Sequence, residues 1–451
     1  MTIGSDRKKK AIVEENAPLL PKTQESDVGL DEFNGASFSS AVFNLSTTIV
    51  GAGIMSLPAC VKKLGIVPGL IAIILSSLFT EKSVDFMIRF SRAGNISSYG
   101  SLMGDSFGKY GRALVQICIT VNNIGVLIVY MIIIGDIISG TSSSGVHHYG
   151  ILEGWFGVHW CTGRTFVLLF TTLVVIVPLT SFKRIDSLRY TSALSVGLAG
   201  VYLVIVVGIS IFKIISGGMV IPRLFPIITD ASSVFELFTT FPVLISAYIC
   251  HTVVHSINNE LKDSKQMRGV VKTSFVLCCL VYLFTSFFGF FLFGEETLDD
   301  VLANFDTDLD IPFGFILNDI VRVSYAVHIV LIIPVLFYAV RINFDGLLFS
   351  SSSTRSLNVD NFRFFSITFS LVAIIFLGAN FIPSIWDIFQ FIGATTAICI
   401  AFIFPVAITL RDKHNIATKT DKTLSVFMIV ISVTSSAVAI YSNVYALINK
   451  K

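Results

Sequence analysis

The chain has 451 residues, of which 53% are apolar and only 14% charged, with a mean hydropathy of +0.79; a water-soluble fold cannot bury that much apolar surface. A net charge of +2 gives no basis for a nucleic-acid partner. The absence of a GxxxxGK[ST] phosphate loop argues against transport driven directly by ATP.

Residues 1–36 are polar and are expected to form a disordered cytosolic tail. Within it, Glu15-Asn16-Ala17-Pro18-Leu19-Leu20 fits an acidic dileucine sorting signal for a trafficking adaptor, the bland account being an unread tail. The first apolar block starts behind this tail, so a cleaved signal peptide is not expected. Residues 37–451 read as one membrane domain, because no loop is long enough to fold alone.

The apolar blocks reach roughly 20 residues or more, enough to cross a hydrocarbon core. Spans are expected near 38–63, 66–90, 112–138, 164–182, 188–215, 234–257, 268–293, 313–340, 362–381, 385–410 and 423–447. This is an all-α integral membrane protein of about eleven transmembrane helices. Most cysteines fall inside spans as small apolar fillers.

Basic residues collect at alternate ends: Arg7 to Lys10 in the tail, then Arg89 and Arg92, Lys183 and Arg184, Lys262 and Lys265, Arg341 and Arg355, and Arg411 and Lys413. The opposite loops lack them; residues 294–311 hold seven acids and no Lys or Arg, and read as a solvated face. Positive residues stay cytosolic, which puts the N-terminus inside and the C-terminus outside or lumenal.

Span one contains Gly51-Ala52-Gly53-Ile54-Met55-Ser56-Leu57-Pro58, preceded by Asn44, Ser46, Thr47 and Thr48. Two glycines at about 1 kcal/mol each and a proline at about 3 make this costly as helix, so a functional break is expected there. Close packing through small residues is the competing account. Span six has a counterpart, Phe241-Pro242-Val243-Leu244-Ile245-Ser246-Ala247. The two spans lie five helices apart and run in opposite directions, as an inverted repeat requires. Spans one to five and six to ten then form a five-plus-five inverted repeat with broken helices one and six, plus one extra helix.

Unwound backbone at the midplane can serve a solute. The half-helix beginning after Gly53 offers N–H groups and a positive dipole end to a carboxylate, and carbonyls before Pro242 suit an ammonium group. The substrate-binding candidates are Gly51, Ala52, Gly53, Ile54, Phe241 and Ser246.

The run Phe43-Asn44-Leu45-Ser46-Thr47-Thr48-Ile49-Val50-Gly51-Ala52-Gly53-Ile54 resembles the first-span signature of the amino acid/auxin permease family, closest to its vacuolar amino acid transporters and related sodium-coupled neutral amino acid transporters. Ile249-Cys250-His251-Thr252, Asn259-Glu260-Leu261, and Arg322 with Pro334 extend the resemblance over nearly the whole chain after the tail. It implies a five-plus-five inverted-repeat fold and coupled amino acid transport, while the acidic dileucine around Leu19 and Leu20 is expected to route the protein to a vacuolar or lysosomal membrane rather than the plasma membrane. Sodium-coupled relatives are expected to carry a hydroxyl just before the span-eight proline, where this chain has Val330-Leu331-Ile332-Ile333. That favours a coupling proton over sodium.

Ionisable and polar groups at membrane depth are functional candidates by default. Asn44, His251 and His328 are the ion-coupling candidates, histidine because it titrates near neutrality. Asp319 and Arg322 are three apart and read as a structural pair; Glu81, Asp85 and Arg89 read as snorkelling, mutually paired side chains. No cofactor or metal site stands out.

A membrane enzyme would need a polar constellation such as HExxH or GxSxG, and neither occurs in the sequence. A channel, or an amino acid sensor built on the transporter fold, would have the same helical composition. The expected function is secondary active transport of amino acids by alternating access, proton-coupled, within membrane lipid.

Overall fold

The computed structural model describes residues 35–449 apart from 52, 144–145, 184–187, 217–221, 307–308, 310, 350–356, 358–359 and 383–384. The dileucine pattern and Ala52 therefore lie outside the described residues. Among these residues nine helices are long and apolar enough to cross a membrane, a bent pair makes a further crossing, and Arg164–Thr180 is a shorter apolar helix where span four is expected. The departure from all-helical structure is small: Thr141–Ser143 pairs antiparallel with Val146–His148.

Span one is two helices, Phe38–Ile49 and Gly53–Leu64, bent by 54°. Span six is also two, Ala231–Ala247 and His251–Glu260. Its break does not fall at the proline, where the sequence places it. The first half-helix runs straight through Pro242, which removes one backbone hydrogen bond without ending the helix, and unwinds at Tyr248 to Cys250. Pro58 is likewise inside its half-helix, with room made by Gly289 of span seven, where a Cβ would lie 3.0 Å from Pro58 Cγ.

Span three (Tyr99–Ser139) and span eight (Gly314–Leu348) form the centre, with 78% and 72% of their most apolar stretches buried, against 28% for span five (Arg189–Ile215) and span eleven (Lys419–Ser442) at the periphery. A helix apolar on all sides belongs inside. Span three starts well before residue 112 and kinks at Gly108, whose φ of 69° suits glycine.

Several charges do other work than the sequence suggested. Arg341 is a buried side chain of span eight, not a loop cation. Its guanidinium donates to Thr180 O at 2.7 Å and Phe182 O at 2.8 Å at the end of span four, and lies 4.0 Å from the Phe364 ring. Asp319 and Arg322 each reach the loop before span four: Asp319 accepts from Trp155 Nε1 at 3.1 Å and Arg322 donates to Tyr149 O at 2.7 Å. Arg89 does pair with Asp85 at 3.9 Å but binds Asp421 of span eleven more closely, at 2.9 Å. The acidic 294–311 loop is not simply a solvated face, because Val301, Leu302 and Phe305 of its helical turn Val301–Asp306 are buried.

Candidate functional site

The two breaks meet. A Cβ placed on Gly53 would lie 2.6 Å from Ala247 Cα, so the backbones of spans one and six are in direct contact. Beside them is a small cavity of about 30 Å³. Span one contributes Thr48, Gly51 and Gly53 to its wall, and span six contributes Ser246, Ala247 and Thr252. Span three adds Asn122, Asn123 and Tyr130; Leu336, Phe389 and Ile392 supply the apolar side.

The local sequence explains the unwinding in span one. Thr48 Oγ1 bonds back to Asn44 O at 3.0 Å and Thr47 Oγ1 donates to Ser192 O of span five at 2.8 Å, which pins the end of the first half-helix. Gly51 then turns the chain, its N–H bonding Ile49 O at 2.8 Å. A side chain there would collide with Tyr130 Oη, 2.0 Å from the Cβ position. Tyr282 of span seven donates to both Ile49 O, at 2.5 Å, and Ala247 O, at 2.8 Å. Tyr325 of span eight reaches Gly51 O at 3.4 Å.

Asn122 Nδ2 donates to Asn123 Oδ1 at 3.1 Å. Among the described residues, Asn123 Nδ2 and Ser246 Oγ are buried on this wall without a hydrogen-bond partner. Buried polar atoms are normally paired, so such atoms around a cavity point to a polar ligand. Span ten has two π-helical stretches, Gly393–Ala397 and Cys399–Ile403, a geometry common at functional sites. Ser83 Oγ donates to Ala401 O and Tyr99 Oη to Ile400 O, the latter at 2.7 Å, serving carbonyls in the looser turns.

Of the residues singled out from sequence, Gly51, Gly53 and Ser246 line the cavity, and Ile54 is buried next to Gly53. Phe241 does not. It faces an apolar groove between spans two, six and eleven and lies 6.3 Å from the Phe402 ring, because the helix continues past Pro242 and turns this residue away. Asn44 is buried in the first half-helix, outside the cavity wall. His251 Nε2 sits 3.1 Å from Ser83 Oγ and His328 Nδ1 lies 2.8 Å from Ser195 O, each on a neighbouring span and off the wall. Asn122, Asn123, Tyr130 and Tyr282 were missed. The adjacent asparagines inside an apolar span carried a readable signal; the tyrosines carried none.

Comparisons with known proteins agree with this architecture. Residues 34–448 match the family model described as transmembrane amino acid transporter protein. The chain is 60% identical to amino acid transporter AVT6A of Arabidopsis thaliana over 96% of its own length and 94% of that protein's. It is 28% identical to sodium-coupled neutral amino acid symporter 2 of Danio rerio, over 83% of this chain and 75% of that one. Among solved structures, MhsT in complex with L-phenylalanine superposes with a TM-score of 0.58 at 14% identity, covering 89% of this chain and 98% of that one; at that identity the likeness speaks for the fold.

Proposed function

The chain belongs to the transmembrane amino acid transporter family, and from that premise we propose that it is a secondary active, proton-coupled transporter working by alternating access, with the amino acid held between its two breaks. It is a multi-pass membrane protein that carries amino acids and is not an enzyme. The observation that carries the site assignment is the convergence of two unwound segments on one cavity with unpartnered polar atoms. The half-helix from Gly53 presents its positive end to the substrate carboxylate. The ammonium group goes to carbonyls ending the first half-helix of span six, a reading supported by that helix ending at Ala247 rather than before Pro242.

Protons are favoured over sodium because span eight turns apolar side chains toward the span-one break: Ile332 Cδ1 is 3.9 Å from the Cβ position of Gly51. Asn44, His251 and His328 remain the coupling candidates. Each pH unit across the membrane supplies about 1.4 kcal/mol per proton, roughly tenfold accumulation of a neutral solute. Uptake into proteoliposomes under an imposed pH gradient is expected; activity with a sodium gradient alone and none with a proton gradient would overturn the coupling. The basic ends face the cytosol, and the dileucine directs the protein to a vacuolar or lysosomal membrane. An unchanged distribution of the Leu19→Ala, Leu20→Ala double variant would refute that role for the signal.

A further inference from the structure

Tyr282 is fully buried on span seven (Met267–Phe293) beside the cavity. The carbonyls it serves, Ile49 O and Ala247 O, end the first half-helices of spans one and six. In unbroken helices these carbonyls would accept from the N–H groups of residues 53 and 251; the breaks take those donors away.

A phenol has one proton. It can serve one carbonyl fully or both in part. Ile49 O has a second donor, the N–H of Gly51 at 2.8 Å, so the shortfall rests on Ala247 O. Both Ile49 and Ala247 border the cavity. An under-served carbonyl beside a low-dielectric cavity is a receptor for a group rich in N–H donors, and an ammonium brings three.

We propose that Tyr282 is a positioning residue for transport: it ties the two breaks together while the site is empty and surrenders Ala247 O to the substrate's ammonium group when the site fills. This rests on the reading that the breaks hold the charged groups of the amino acid. When the ammonium occupies Ala247 O, the phenol proton goes wholly to Ile49 O, and the bond joining span one to span six is released. Occupancy is thereby converted into freedom of one broken span relative to the other, a discrete two-position element of the kind switching proteins use. The ring itself stays in place. Tyr248 packs edge-on against it with centroids 5.0 Å apart and stacks on Phe275 at 6.1 Å, so the proton changes partner without the side chain swinging away.

The test uses the full-length protein, with an equimolar mixture of the common L-amino acids as probe. Binding is followed by ligand-induced thermal stabilisation and transport by labelled uptake per folded molecule. Tyr282→Phe keeps the ring and deletes the proton. It should bind the mixture at least as tightly as the parent while maximal uptake falls about tenfold, the equivalent of one hydrogen bond. Tyr282→4-aminophenylalanine places two N–H donors at the same point, satisfies both carbonyls together, and should weaken binding by about tenfold. Should Tyr282→Phe fail to fold, the amino variant decides alone. Parental affinity in the amino variant overturns the proposal, as does a Phe variant whose affinity and maximal uptake are both unchanged or fall together. N-acetylated amino acids competing as well as the free ones against the parent protein would instead remove the underlying reading of the site.

Discussion

Gly53 of span one and Ala247 of span six touch backbone to backbone: a Cβ on Gly53 would lie 2.6 Å from Ala247 Cα and 2.7 Å from its Cβ. Glycine is therefore required at this point by the approach of the other break. A bulky residue at 53 would push the two breaks apart before it obstructed anything bound between them.

Gly53→Ala is accordingly expected to lower thermal stability by about 1–3 kcal/mol, the usual range for overpacking, and to reduce uptake together with it. The measurement is thermal unfolding in detergent alongside proteoliposome uptake. Loss of uptake with parental stability would assign Gly53 to the ligand alone.

At Gly51 the obstacle is different, since the Cβ position lies 2.0 Å from the tip of Tyr130 but 3.2 Å from its ring carbon Cζ. Gly51→Ala should impair folding or uptake, and adding Tyr130→Phe should recover stability by removing the colliding oxygen. A double-variant cycle on thermal stability with no coupling between the two positions would contradict this contact.

Asp300 provides a pH dependence on the acidic face. Burial raises its carboxyl to about 6, against the N–H of Leu302, which donates to it at 3.0 Å and pulls the other way. The folded chain thus holds this proton more tightly than the unfolded chain. Its contribution to stability is complete below the unfolded value of 3.8 and is lost as pH rises through about 6. Amide exchange in the Val301–Asp306 turn should be slower at about pH 5 than at about pH 7 after correction for intrinsic rates. Asp300→Asn should abolish that difference, and its persistence would exclude this carboxyl.

Arg341 holds two carbonyls of span four with one planar fork while stacking on Phe364. Lysine offers a point charge without the fork. Arg341→Lys should therefore lose about 1–3 kcal/mol of stability, the cost of an unsatisfied buried acceptor. Equal melting temperatures would show that charge alone suffices.

The helical membrane-spanning class and the break in span one were legible because they depend on local properties. Apolar length, the spacing of basic residues and Gly51-Ala52-Gly53 act wherever they fall in a chain. The break in span six was legible as a counterpart but misplaced. Proline costs one backbone bond at residue 242, whereas the unwinding at residues 248–250 adjoins Ala247, whose backbone meets Gly53 and whose carbonyl is served by Tyr282. Those partners are remote in sequence. Phe241 was carried to the wrong face by the same error, and Tyr130 and Tyr282 looked like ordinary aromatic filling of apolar helices. Composition and periodicity say which backbone groups are at risk of losing their partners; which side chain from a distant span supplies the replacement donor is decided only when the helices pack.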